Sequence, residues 1–291
     1  MGIFTKYPQL RAALWYPTAP HYPAPMAMDR ITVEVRDGIA YATLNRADKM
    51  NSLDLPMLEA LATVPDRLAR DRSVRVVILR GDGRAFCTGL DFAGAKLQGL
   101  SAVRNFGKFP GQKTNLFQQA CWAWRELPVP VIAAVHGHCY GGGLQVALAA
   151  DFRIATPDCK LSVMEARWGL IPDMTGSVTL SELLPMDVAK RLTMTAEVFS
   201  GTDALGYGLV TAVADDPLLA AEELAAQLIE RSPDALAATK KLFDATWTSP
   251  PRWAFWTESL LQLRLLRGRN HRLARKAGRD GSPVWAPRSL G

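Results

Sequence analysis

Two apolar segments, each followed by a glycine-containing turn, constrain the fold of this 291-residue chain most strongly. Residues 74–79 (VRVVIL) precede the turn at residues 86–92 (FCTGLDF), and residues 131–135 (VIAAV) precede the turn at residues 136–145 (HGHCYGGGLQ). The glycines of the second turn stand where a helix is predicted to begin, and the first N–H groups of a helix have no partner within it. Two such turns predict backbone donors that converge on one oxygen, which is the arrangement of an oxyanion hole.

The remaining chain alternates between strand and helix patterns. Residues 31–36 and 39–44 flank Asp37-Gly38, which predicts a β-hairpin with a two-residue turn. Apolar spacing predicts helices at residues 52–70, 116–125 and 142–148, and strands at residues 74–79, 131–135, 151–155 and 160–163. After Leu184 the sequence predicts helices to the end of the chain, at residues 186–196, 218–231, 234–243 and 252–266. This alternation indicates an α/β fold.

The composition limits the protein classes. No run of 18 apolar residues is present, and the N-terminus lacks the apolar core of a signal peptide, so neither a membrane span nor secretion is expected. The four cysteines form no C-x-x-C pair, which favours reduced, packed thiols over disulfides. A cytoplasmic location is therefore expected. Residues 1–28 contain five prolines and no acid, and they are expected to form a poorly ordered extension.

The charge distribution favours an anionic ligand. The net charge is +6, and residues 264–279 contain seven Lys or Arg residues and no acid, so this segment is either a phosphate-attracting patch or a solvated helix end. A role in nucleic-acid binding is not expected, because no aromatic residues interleave with these charges. No metal site is expected either, since His136, His138 and Cys139 have no second ligand cluster elsewhere in the sequence.

The two turns resemble those of the crotonase superfamily, the enoyl-CoA hydratase/isomerase family, over about residues 31–243. Three further segments carry the resemblance: residues 44–53 (LNRADKMNSL), 127–135 (LPVPVIAAV) and 164–173 (MEARWGLIPD). The resemblance implies a spiral core of repeated β-β-α turns at residues 29–215, followed by a C-terminal helical oligomerisation region at residues 216–291. It also implies an acyl-CoA thioester substrate, no separate cofactor because coenzyme A is part of the substrate, and a homotrimer or dimer of trimers.

The resemblance further implies which residues act on the thioester. The N–H groups of Leu90 and Gly142 would hold the thioester oxygen while negative charge develops on it. Hydratases of the superfamily carry glutamates at the positions of Gln145 and Glu165, and an amide cannot exchange a proton at neutral pH. The spacing from Glu165 to Asp173 resembles the dienoyl-CoA isomerase branch, although that branch also has an acid at position 145.

These acids predict a shift of a double bond in an enoyl-CoA. Glu165 would remove or return a proton, and Asp173 would move the second proton or tune Glu165. Apolar neighbours (Val163, Met164, Leu170 and Ile171) indicate a lined pocket, while the plainer alternatives are a surface acid at Glu165 and a helix cap at Asp173. Two other functions stay open: a hydratase or related lyase in which Gln145 orients water, and a non-catalytic binder of CoA thioesters.

The resemblance also implies the substrate contacts, carried over by position in the sequence. Lys49, Met50 and Ser52 would lie beside the pantetheine and phosphates, and the Thr88 carbonyl would accept from the adenine amine. Phe92 and Trp168 would line the acyl tunnel, together with the glycine-rich loop at residues 94–113. Gly89 and Gly141, which precede the two donors, complete the predicted binding residues.

Overall fold

The computed structural model describes residues 30–91, 107, 111–278 and 281–291. The predicted extension at residues 1–28, the greater part of the loop at residues 94–113, and Phe92 lie outside the described residues. The described chain is an α/β structure, as predicted, in which two sheets carry helices on their faces. Within the described residues, none of the helices combines the length and the apolar character needed to cross a membrane.

The larger sheet has six strands in the order β1-β2-β3-β4-β6-β9. Its strands are β1 (Ile31–Arg36), β2 (Ile39–Leu44), β3 (Val76–Gly81), β4 (Val131–Val135), β6 (Phe152–Ala155) and β9 (Ala212–Val213). Only β1 and β2 pair antiparallel, and all other neighbours are parallel. The turn between β1 and β2 has positive φ at Asp37 (49°) and Gly38 (81°), the geometry that Asp-Gly favours in a two-residue hairpin.

A smaller sheet lies beside the turns that follow β3 and β4. It contains β5 (His138–Tyr140), β7 (Lys160–Ser162) and β8 (Phe199–Ser200), in the order β5-β7-β8. An isolated bridge joins Cys87 to Cys139, so the segment after β3 runs parallel to β5. The two glycine turns predicted from the sequence are therefore neighbours in space.

The helices of the spiral are α1 (Leu55–Arg70), α2 (Leu116–Glu126), α3 (Gly142–Leu148), α4 (Gly176–Leu183), α5 (Met186–Thr195) and α6 (Gly201–Tyr207). Helices α1 and α2 pack together and bury Met57, Leu61 and Trp124 against the sheet. Helix α1 begins at Leu55 rather than at Ser52 because Asp54 caps it, accepting from the Met57 N–H at 2.9 Å.

The C-terminal region contains α7 (Pro217–Ile229), α8 (Pro233–Thr246), α9 (Pro251–Arg267) and α10 (Arg269–Ala277). Helix α7 covers the second face of the large sheet and buries Ala221 and Ala225 against Val76 and Ile132. Lys240 on α8 ties this region to the spiral, because its ammonium donates to Asp151 at 2.8 Å and to two backbone carbonyls.

An extended segment after α10 returns to the start of α8. The buried Asp234 carboxylate accepts from the backbone N–H groups of Ser289 and Leu290 and from the Asn270 side chain, at 2.7, 3.0 and 2.8 Å. Residues 281–291 are therefore not helical, and β8 and β9 interrupt the helices that were predicted to follow Leu184. Strands of two residues are too short to produce a periodic pattern. The division at residues 28/29 and 215/216 stays a prediction.

Candidate active site

The first glycine turn is held against the segment before α1. Leu53 N–H donates to the Gly89 carbonyl at 2.8 Å, and Asp91 N–H donates to the Leu53 carbonyl at 3.0 Å. These two bonds fix the backbone on both sides of Leu90, which pairs with Leu53. Gly89 has φ +86°, a conformation that other residues rarely adopt. The predicted donor at Leu90 is thus set by main-chain bonds.

The second turn begins α3. Gly141 has φ +50°, its N–H donates to the Ser162 carbonyl at 2.9 Å, and Gly142 is the first residue of the helix. Its N–H belongs to the first turn of a helix, which leaves it without an intrahelical acceptor and at the positive end of the helix dipole.

The two turns touch through their backbones. A Cβ placed on Gly89 would lie 2.8 Å from the Tyr140 carbonyl oxygen and 3.5 Å from the Gly142 nitrogen. Cys87 N–H donates to the His138 carbonyl at 3.1 Å, and Tyr140 N–H donates to the Cys87 carbonyl at 3.0 Å. The residues on either side of the two predicted donors are therefore joined directly.

A cavity of about 220 Å³ lies over these turns. Eight predicted site residues line it: Thr88, Gly89, Leu90, Gly141, Gly142, Glu165, Trp168 and Asp173. The apolar neighbours Met164, Leu170 and Ile171 line it as expected, together with Phe117 and Met174, which the sequence analysis did not single out. Among the described residues of this lining, the two charged side chains are both acids, Glu165 and Asp173.

Glu165 is a buried carboxylate, not a surface acid. It begins a short 3₁₀ helix, Glu165–Trp168, and only 8% of it is exposed. Its Oε1 accepts from Gln145 Nε2 at 2.6 Å, and its Oε2 has no hydrogen-bond partner in the part of the chain that the structure describes. Burial raises the pKa of Glu165, and the charge of Asp173 raises it as well. Hydrogen bonds from the Glu165 backbone N–H and from Gln145 lower this pKa, but the net change is an increase.

Asp173 reaches the same cavity through a turn. Gly169 has φ +69°, and Leu170 N–H donates to the Glu165 carbonyl at 3.0 Å, so the chain reverses after the 3₁₀ helix as the glycine predicts. Asp173 is half-buried, and burial raises the pKa of its carboxyl. The residue that precedes α4 at the N-cap position is Thr175.

Gln145 lies beside the site and not in the cavity lining. Its side chain is 1% exposed, Nε2 donates to Glu165, and Oε1 accepts from the Gly176 N–H at 3.0 Å. That Gln145 contacts substrate or orients a water stays a prediction. The contact with Gly176 was not visible in the sequence, because it depends on how α3 and α4 pack.

The predicted coenzyme A contacts Lys49, Met50 and Ser52 belong to the segment that is hydrogen-bonded to Thr88. The Thr88 N–H and hydroxyl both lie within hydrogen-bond distance of the Met50 carbonyl, at 3.2 and 3.3 Å. Ser52 Oγ accepts from Arg46 at 2.9 Å, and Lys49 is exposed. None of Lys49, Met50 and Ser52 is among the described residues of the cavity lining.

Asn51 organises this segment, and the sequence analysis missed it. It is fully buried with φ +55°, and its amide donates to the carbonyls of Asp82 and Ala85 at 2.9 and 2.8 Å. Its Oδ1 accepts from the Arg46 N–H, and its carbonyl accepts from the Cys87 thiol. Asparagine tolerates the left-handed conformation, which was the available signal.

Other groups of the described chain lie outside the described residues of this lining. Arg46 pairs with Asp91 at 2.9 Å. Across the described ranges, no three His, Cys, Asp or Glu side chains are placed to hold a metal ion. The described basic residues of 264–278 lie on α9 and α10, and none of them is among the described residues of the cavity lining.

Comparison with known proteins shows the family of the chain. The model of the family described as enoyl-CoA hydratase/isomerase matches residues 34–268. The chain is 34% identical to an (E)-benzylidenesuccinyl-CoA hydratase from Thauera aromatica, over 72% of this chain and 80% of that protein. It is 35% identical to a carnitinyl-CoA dehydratase from Salmonella paratyphi A, over 72% and 77%. A crystal structure of enoyl-CoA hydratase from Bacillus anthracis superposes with a TM-score of 0.80 at 28% identity, covering 88% of this chain and 98% of that one.

Proposed function

Because the chain belongs to the enoyl-CoA hydratase/isomerase family, we propose that it shifts a double bond in an enoyl-CoA thioester. One observation carries this proposal: Glu165 and Asp173 line the same cavity as Leu90 and Gly142, whereas Gln145 lies outside that lining. The cavity thus offers two proton-carrying groups beside the predicted oxyanion donors.

The proposed reaction moves one proton from carbon to carbon. Glu165 removes a proton from the carbon next to the thioester, and the electron pair moves onto the thioester oxygen. The N–H groups of Leu90 and Gly142 stabilise that oxyanion, a contribution of about 2.7–4 kcal/mol per donor in comparable sites. A proton then returns at the γ carbon from Asp173, or from Glu165 itself, and the double bond becomes conjugated with the thioester.

The raised pKa values fit these roles. Burial raises the pKa of both carboxyls. The charge of Asp173 raises the pKa of Glu165 further, so both acids titrate closer to neutrality than free carboxyls do. A carboxylate whose pKa is raised is a stronger base than a free carboxylate, and it can return the proton once it has accepted it.

The lining favours an apolar acyl group. Phe117, Leu90 and Met174 lie inside, and Trp168 and Ile171 are exposed beside them, 60% and 73%. We propose an acyl-CoA substrate with no separate cofactor.

The proposal is tested by product analysis in deuterated water. The protein is incubated with trans-2-, cis-3- and 3,5-dienoyl-CoA thioesters, and products are followed by mass. A shifted alkene that carries deuterium, and that disappears in Glu165→Gln, supports the proposal. Turnover that is unchanged in Glu165→Gln contradicts it.

Hydration is the second candidate, and the activities for which the relatives are named favour it. Both curated relatives described above are named for adding or removing water. The same assay distinguishes it, since a hydrated product gains the mass of one water. Binding without turnover of any thioester would leave a non-catalytic CoA-thioester binder.

We also propose that the chain assembles as a homotrimer or dimer of trimers through its C-terminal helices. Large apolar side chains are exposed on α8, on α9 and at the residue that ends α8: Phe243, Phe255, Trp256, Leu263 and Trp247. A monodisperse monomer in sedimentation at micromolar concentration would contradict this.

A further inference from the structure

The hydrogen bonds of Gln145 distinguish the two oxygens of Glu165. The Gly176 backbone N–H is a donor only, so the atom of Gln145 that faces it at 3.0 Å must be the carbonyl oxygen. The amide nitrogen of Gln145 then necessarily faces Glu165, where it lies 2.6 Å from Oε1. This backbone donor fixes the orientation of the amide, which is otherwise ambiguous.

A donor on Oε1 leaves that oxygen as an acceptor in both protonation states of Glu165. A carbonyl oxygen is a better acceptor than a hydroxyl oxygen, so the amide bond to Oε1 favours the carboxyl proton on Oε2. Oε2 is a buried oxygen without a hydrogen-bond partner among the described residues, and the residue that carries it, Glu165, lines the cavity. The two oxygens of this carboxyl are thereby made chemically different.

We propose that Gln145 is a positioning residue that restricts proton transfer by Glu165 to Oε2. This inference rests on the proposed function, in which Glu165 is the base. Gln145 is buried and lies outside the cavity lining, so it acts through Glu165. Its side chain bridges the Glu165 carboxylate to Gly176, the first residue of α4.

An acid at position 145 would behave differently. A carboxylate there would still accept from the Gly176 N–H but would donate to Glu165 only while protonated. The two carboxyls would share one proton, and their titrations would be coupled. An amide donates a hydrogen bond at every pH. With Gln145 the protonation of Glu165 is therefore not coupled to the protonation of residue 145.

Two variants of Gln145 test this inference, with Gln119→Met as the matched control. Gln119 is also a buried glutamine, 5% exposed, but its contact is with Thr114. Gln145→Met removes the donor with little change in size, and Gln145→Glu keeps the Gly176 contact. The measurements are kcat, KM and the pH dependence of kcat/KM, with circular dichroism of each variant.

In Gln145→Met the acidic limb of kcat/KM should move upward by about one pH unit, because loss of the donor raises the pKa of Glu165. The value of kcat should fall at least about tenfold at neutral pH, while KM stays within about twofold because residue 145 does not line the cavity. Gln145→Glu should show a bell-shaped profile, active only while the pair holds one proton. Gln119→Met should keep the original profile.

An unchanged pH profile in a folded Gln145→Met, together with a single-limbed profile in Gln145→Glu, overturns the inference. The proposed function survives that result if Glu165→Gln still abolishes deuterium incorporation. If Glu165→Gln keeps full activity, the proposed function itself fails. The two failures are thus distinguished by one additional variant.

Discussion

Substitution of Gly143 by alanine should damage the predicted oxyanion hole without touching a side chain of the cavity. Gly143 is the second residue of α3, and a Cβ there would overlap the carbonyl oxygen of Cys87 and lie 2.7 Å from its Cβ and Sγ. That carbonyl accepts from the Tyr140 N–H at 3.0 Å, so it cannot turn away without breaking the bond between the two turns. The start of α3 must therefore move.

The size of the effect follows from these distances. Ordinary carbon contacts begin near 3.4 Å, so α3 must retreat from Cys87 by about 0.7 Å. Gly142 moves with it, relative to Leu90, and loss of one donor in such a site costs about 2.7–4 kcal/mol, or a factor of about 100–1000 in kcat. The added methyl group should also destabilise the fold by about 1–3 kcal/mol.

The assay combines rate, binding and unfolding. We expect kcat/KM to fall at least about 100-fold for the enoyl-CoA that gives turnover. Acetoacetyl-CoA should lose the enolate absorption that an oxyanion hole induces, and urea unfolding should report the smaller stability change. Gly206→Ala is the control, since Gly206 lies in α6 with nothing within 4 Å of its Cβ position. It should leave activity unchanged and raise stability by up to about 1 kcal/mol.

A folded Gly143→Ala protein with the original kcat/KM and enolate absorption would refute the reasoning. Leu90 and Gly142 would then not act as a pair, or the reaction would not develop charge on the thioester oxygen. A protein that fails to fold is distinguished by circular dichroism, and Gly143→Ser, which adds the same Cβ with a polar group, then repeats the test in the presence of a CoA thioester.

Three further predictions follow from described contacts. Asp173→Asn removes a charge that raises the pKa of Glu165, so the acidic limb of kcat/KM should move to lower pH; an upward shift or none contradicts the pairing of these acids. Lys240→Met leaves Asp151 without its buried cation and should cost about 3–5 kcal/mol in urea unfolding; a loss below 1 kcal/mol would show that water replaces the ammonium. Asp234→Asn should cost about 1–3 kcal/mol at neutral pH. Burial raises the pKa of Asp234 but its hydrogen bonds lower it further, so this stability should disappear as pH falls below about 4; a pH-independent cost contradicts the assignment.

Exposed residues of the same types provide controls for the last two variants. Lys160→Met and Asp158→Asn change residues that lie on the surface. Each should change the free energy of unfolding by no more than about 0.5 kcal/mol.

The strands and helices of the spiral were predictable because their signals are local. Residues 131–135 and 142–148 were predicted with the bounds that the structure has. An apolar strand and a helix that begins at glycines are both recognised from the local sequence, without knowledge of distant contacts. Strands β8 and β9 were not predictable, because two residues pair only after Leu161 and Ile154 are already in place. The end of the chain was predicted to be helical, yet it is held extended by the Asp234 carboxylate.

The site was predictable where glycine or acid types carry the signal. Gly89, Gly142, Glu165 and Asp173 all line one cavity, although their roles remain predictions. The surroundings of Gln145 were not predictable, because its amide contacts a backbone group 31 residues away. A sequence reports that an amide has replaced an acid, but it does not report the direction in which that amide points.

The backbone bonds that join Cys87 to β5 have a consequence for how such a protein changes over time. The predicted donors belong to the main chain, so their position does not depend on which side chain occurs at residue 90. Mutations at that position should alter the fit of the acyl group while the polarisation of its carbonyl persists. The acids at residues 165 and 173 are side chains, and they can be replaced one at a time around the same frame. New reactions can therefore arise by exchanging proton carriers, with the activation of the thioester conserved from one variant to the next.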